Sequence, residues 1–177
     1  SAIMVKYGHS FPEFAESFEP LENYPYFSDL CRLDLIQHVS YHAQDSRPID
    51  AEAYSQIELD ILANSTITPL CSALLLASPY AIYSMWELSK NDSEAPAIDA
   101  NEEQYVLAIR PAQDVLLYRL DKGTFYFLTA LSSNKTINDG LMTAQETDAE
   151  FDPSAAISFL IQSGFAQTLL PPSRGDN

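Results

Sequence analysis

The sequence predicts an α+β protein in two parts: a helical N-terminal domain over residues 1–66, then a smaller α+β domain over 67–177 with about three strands and three to four helices. Three observations carry this expectation. Apolar residues recur at helical spacing through residues 11–63. Three short apolar runs, "LCSALLLAS" (70–78), "QYVLAIR" (104–110) and "DVLLYRL" (114–120), have the length and make-up of strands. The last fifty or so residues repeat helix start and stop signals.

Residues 1–10 are expected to form a helical turn or two, ending near Gly8. Ser10 is placed to cap a short helix, with Pro12 in its first turn and Glu13 three residues after the cap. Phe11, Phe14 and Phe18 give that helix an apolar stripe. "EPLENYP" (19–25) reads as a loop, and a long helix follows from about Tyr26 to Ala43. At 100° steps Phe27, Cys31, Leu35, Val39 and Ala43 sweep one broad side, widened by Leu30 and Tyr41. Asp29, Gln37, Ser40 and Gln44 make the polar strip. Asp34, His38 and His42 fall among the apolar residues, so the helix is expected to be covered on most sides.

"QDSRPID" (44–50) is a turn, and Asp50 caps a further helix over 51–63 with Ile57, Ile61 and Leu62 among its apolar positions. "NSTITP" (64–69) ends the helical part. After the first strand-like run, Pro79 opens a helix over "YAIYSMWELSK" (80–90), with Ile82, Met85, Trp86 and Leu88 on its apolar side. "NDSEAPAIDANEE" (91–103) is an acidic connector. Tyr105, Leu107 and Ile109 alternate with Val106 and Ala108, and "PAQ" (111–113) makes a hairpin with the next strand plausible. Three helices close the chain. Thr124 is placed to cap the first. Thr136 with Asp139 resembles a capping box for the second. The third has Asp152 as its cap, Pro153 at its first position and Gly164 at its end, with Phe165 just beyond.

Composition narrows the function. Nine Lys and Arg face 25 Asp and Glu, a formal charge of −16 in 177 residues. Such a chain repels phosphate at long range, and a negative field suits a basic peptide or protein, or a cationic metal species. The two cysteines, Cys31 and Cys71, form no CxxC and are expected to be buried reduced thiols. No apolar run is long enough to span a bilayer and no signal peptide is recognisable, so a cytoplasmic setting is expected. Five scattered glycines cannot build a phosphate-cradling or dinucleotide loop, and no GxSxG or Cys/His pairing suggests a nucleophile.

One pattern invites chemistry. Asp34, His38 and His42 sit four residues apart on one helix, a spacing that can hold a metal, with His9 or Asp45 as a further ligand. A metal-dependent enzyme at these three residues is one reading. The others are polar residues satisfied at the edge of a helical core, or a partner-binding surface. The closing helices could be laid out as a helix-turn-helix, but Lys135 is the only Lys or Arg between Gly123 and Ser173.

The stretch "YGHSFPEFAESFEPLENYPYFSDLCRLDLIQHVSYHA" resembles the helical N-terminal domain of the HvfC/BufC-like family. The likeness rests on Tyr7-Gly8, Phe11-Pro12, Pro25-Tyr26, Asp29-Leu30, Arg32-Leu33 and His42-Ala43, with Asp34 where the family usually has glutamate. "LLLASPYAIYSMW" (74–86), ending in Trp86, and "FDPSAAISFLIQSGF" (151–165) are similar to later family segments. The resemblance implies further helices upstream of Tyr7. It also implies a non-enzymatic partner of multinuclear iron-dependent oxidative enzymes that modify ribosomally made peptides, without a cofactor of its own. The same family is often labelled as carrying a DNA-binding domain, so a transcriptional regulator is the alternative.

The strands and closing helices resemble a small, winged-helix-like peptide-recognition element that takes a leader peptide as an added strand. On that reading "VLLYRL" is the receiving edge. Val115, Leu117 and Arg119 would face the peptide, with Ile157 and Ile161 of the last helix nearby. Pro25, Asp29, Arg32, Asp34, His42 and Trp86 would organise the helical part or a docking surface.

Overall fold

The computed structural model describes residues 10–90 and 98–172. The N-terminal turn expected over 1–10, Tyr7, Gly8, His9 and most of the 91–103 connector lie outside the described residues. The protein is α+β, with helices and two small antiparallel sheets. In chain order the elements are α1 (Phe11–Ser17), a 3-10 turn (Glu19–Leu21), α2 (Phe27–His42), α3 (Ala51–Ser55), α4 (Leu59–Ala63), β1 (Thr66–Pro69) and β2 (Leu74–Ser78). They continue with α5 (Ile82–Ser89), β3 (Gln104–Ile109), β4 (Leu116–Leu120), α6 (Lys122–Ser132), α7 (Ile137–Thr147), α8 (Pro153–Gln162) and β5 (Ala166–Leu170).

The closing helices start on local caps. Asp121, not Thr124, caps α6 by accepting the Thr124 N–H at 2.7 Å; Thr124 itself is buried inside the helix. Thr136 caps α7, its Oγ1 accepting the Asp139 N–H at 3.1 Å and donating to the Asp139 carboxylate at 2.8 Å. Asp152 accepts the N–H groups of Ser154 and Ala155 ahead of α8. Gly164 ends α8 with φ +68, a left-handed conformation that L side chains adopt at a cost. Phe165 beyond it is fully buried.

β3 is the centre of a three-stranded sheet in the order β2-β3-β4, and all six of its residues are buried. Its alternation divides two cores. Tyr105, Leu107 and Ile109 join the larger one, with Phe125, Phe127, Leu128 and Leu131 of α6, Leu160 of α8, and Phe165. Val106 points the other way, onto Leu33 of α2 and Ile82 of α5, with Leu76, Trp86 and Leu117 packed around them. A strand covered on both faces loses the polar alternation of a half-wet strand.

Three expectations are corrected. The helix over 51–63 is two five-residue helices, too short to stand on their own hydrogen bonds and held by Tyr54 and Leu62 against the core. Strands β1 and β5 were not expected, so the described residues hold five strands rather than about three; the two pair antiparallel, Ile67 opposite Leu169. The orientation of α2 is reversed for part of its surface. Asp29 and Ser40 of the expected wet strip are buried with Leu33 against the sheet, while Asp34, His38 and His42 are exposed. Apolar residues lie all round this helix, so their positions alone do not choose the inner side. The sheet does, through Leu33 and through a partner for Asp29.

Candidate functional site

β4 is the margin of the three-stranded sheet. It pairs residue for residue with β3, Leu116 opposite Ile109 and Leu120 opposite Tyr105, and no described strand lies beyond it. Every second backbone group of such a strand faces outward and must bond to water or to another chain. Leu116 is 40% exposed and Arg119 is exposed beside it. β2 is the opposite margin, and α2 packs on the face it shares with β3.

The side chains expected around this edge do not all meet. Leu117 packs into the smaller core, beneath α2 and α5. Arg119 shares that face of the sheet and ion-pairs with Glu102 at 2.5 Å, both half-exposed. Val115 is half-buried ahead of the strand. Ile161 instead packs against the larger core, on the opposite face, and Ile157 is half-buried on the same helix. The residue of β4 that meets α8 is Tyr118, whose ring stands edge-on to Phe159 at 5.3 Å. The strand's period of two therefore separates Leu117 and Arg119 from the α8 contact, and Tyr118 and Phe159 replace them there.

The residues of the first sequence signature converge elsewhere. Pro25, Ser28, Asp29 and Arg32 line a hollow of about 380 Å³ between the start of α2 and Pro79-Tyr80. Inside it Asp29 is buried; its carboxylate accepts from Arg32 Nη1 at 2.5 Å and from Ser78 Oγ at 2.6 Å. Arg32 reaches on to Glu16 at 2.8 Å, which ties α1 to α2. Ser78 Oγ accepts the Tyr80 N–H at 3.1 Å. One buried carboxylate thus joins α2 to the end of β2. Trp86 packs against the smaller core, with Tyr83 at 5.7 Å and the Lys90 ammonium 5.1 Å above its ring.

His38 and His42 lie edge to face at 4.5 Å, but both are exposed and Asp34 turns to Gln37 Nε2 at 3.5 Å. Among the described residues no three His, Cys, Asp or Glu are grouped to hold a metal ion. The geometry therefore gives no support to a metal enzyme at Asp34, His38 and His42. Of the thiols, Cys31 is half-buried, but Cys71 is exposed rather than buried, with Gln167 Oε1 3.8 Å away. Burial and the Asp34 carboxylate push the Cys31 thiol above its ordinary value, which keeps it protonated and weakly nucleophilic.

Two positioning residues carried no sequence signal. Gln104, fully buried, accepts the N–H groups of Tyr83 and Ser84 with Oε1 and donates to Ser84 Oγ and Glu102 with Nε2. It caps α5 from a neighbouring strand. Arg110 closes α2 by donating to the carbonyls of Ser40 and Ala43, and it pairs with Asp45 at 3.0 Å. It forms one wall of an open groove of about 910 Å³ with Tyr41, His42, Arg47 and Asp50.

No protein-family model matches the chain, and no curated protein matches it. Among the described residues no helix is long and apolar enough to cross a membrane.

Proposed function

We propose that this protein is a non-enzymatic recognition partner: it takes a ribosomally made precursor peptide as an added strand and docks on an iron-dependent oxidative enzyme that modifies that peptide. The observation that carries the reading is the one-sided pairing of β4 at the sheet margin. A fourth strand on that edge would gain main-chain hydrogen bonds independent of sequence, and neighbouring side chains would supply selectivity. Leu116, Tyr118 and Phe159 flank the edge on the face of α8, and Arg119 with Glu102 flanks it on the other.

Electrostatics supports a peptide rather than nucleic acid. With a formal charge of −16, three of the described cations, Arg32, Arg110 and Arg119, are already paired with carboxylates. A basic peptide is drawn to this field and a duplex is repelled.

The test is direct. A candidate precursor peptide, taken from any short reading frame beside the gene and fluorescently labelled, is titrated with the protein, in parallel with a labelled DNA duplex at moderate salt. Saturable peptide binding without duplex binding, and co-purification with the neighbouring oxidative enzyme, is the expected result. Duplex binding that weakens with salt, with no peptide binding, establishes the regulator instead.

A further inference from the structure

Helix α1 presents a face that nothing described in the fold covers. Phe11, Phe14 and Phe18 are 49%, 55% and 43% exposed, and their rings run along the helix in contact, Phe14 on Phe18 at 5.3 Å. Half of each ring leaves roughly 300 Å² of contiguous apolar surface, within the range of the largest patch on a typical monomer, which is often functional. The other side of the helix is settled: Pro12 and Ala15 are buried, and α1 packs on α2.

Acids surround the stripe. Glu13, Glu16, Glu19 and Glu22 are all exposed, and Tyr7 through Cys31 contains no Lys or Arg. Two adjoining hollows, of about 380 and 310 Å³, share Glu16 and Glu22 as walls. Phe18 lines one, and Tyr24 and Tyr80 line the other. Arg32 at the floor is bound by Asp29 and Glu16, so the hollows stay net negative. Carboxylates beside aromatic faces suit a lysine or arginine head group on an apolar stem.

We propose that the α1 stripe and these hollows form a docking surface for a basic amphipathic helix of a partner protein. Apolar side chains of the partner lie on the three phenylalanines, and its cations enter the hollows. Charge chooses this occupant. A second copy of the chain would set the same four glutamates against themselves, and an anionic lipid surface would be repelled. One of the hollows reaches Pro79 and Tyr80, just beyond β2, the strand at the margin opposite β4. The proposal deepens the docking half of the function proposed above, and rests on that reading for there being a protein partner.

The probe is a synthetic helix with leucine and lysine at amphipathic spacing, compared with a scrambled peptide of the same composition by fluorescence anisotropy. The protein binds the amphipathic peptide in preference to the scrambled one. Phe14→Ser with Phe18→Ser weakens binding about tenfold or more. Glu13→Gln with Glu19→Gln and Glu22→Gln weakens it and flattens its salt dependence. All of these positions are exposed, and unchanged thermal melts confirm that the variants fold. Leu116→Lys on β4 leaves this binding intact, so failure of precursor capture at β4 reads out separately. Equal binding of the scrambled peptide, indifference to the phenylalanine changes, or loss through Leu116→Lys overturns the proposal. So does a concentration-dependent dimer in sedimentation that Phe14→Ser abolishes, which assigns the stripe to self-association.

Discussion

The Asp29 carboxylate receives one hydrogen bond from Arg32 and one from Ser78, donors that belong to a helix and to the end of a strand. Removing the charge from a buried group with both partners in place leaves them underbonded. Asp29→Asn should cost about 2 kcal/mol in urea unfolding, and Ser78→Ala about 1 kcal/mol, with the double variant costing less than the sum. Burial pushes the Tyr54 phenol up to about 12, and burial raises Tyr105 in the same direction. The folded state then holds these protons more tightly than the unfolded chain, whose tyrosines titrate near pH 10. Stability is full below pH 10 and declines as pH rises from there toward about 12. Thermal melts across that window should show the decline, and Tyr54→Phe should lessen it. The sequence marked Asp29 and Arg32 through a resemblance, yet helical spacing put Asp29 on the polar strip. Its partner Ser78 lies 49 residues away, and no local pattern encodes that pairing.

Helix α5 begins without a cap of its own, and Gln104 supplies one from β3. Gln104→Leu keeps the volume, leaves two amide hydrogens unpaired, and should cost about 2 kcal/mol in denaturant unfolding. At Gly123 of α6 an added Cβ would clash with the Phe151 ring, so Gly123→Ala forces a buried ring to move and should lower the melting temperature by several degrees, about 1–3 kcal/mol. Elements with complete local signals were legible in advance: α7 from Thr136 and Asp139, and α8 from Asp152, Pro153 and Gly164. β5 was not, because "AQTLL" is a strand only through its pairing with β1, a hundred residues earlier. The outward face of α1 was visible as a stripe, but its exposure depends on what α1 packs against.

At the scale of the whole molecule, acidic charge and an open sheet margin act together. The field draws a basic segment to the surface, and β4 offers it backbone partners. Precursor binding should therefore weaken as salt rises from about 0.05 to about 0.3 M, where screening shortens to a few ångströms, without vanishing as a phosphate contact would. Charge and the hairpin of β3 and β4 were both readable from the sequence. Which face of β4 meets α8 was not, because that depends on the sense in which the buried strand alternates. The most direct test of peptide capture is backbone amide hydrogen exchange, measured on the protein alone and with the precursor peptide. Slowed exchange within Leu116–Leu120 on peptide addition, with α1 unchanged, is the predicted result. Exchange in β4 that stays the same while the peptide is bound would contradict strand addition.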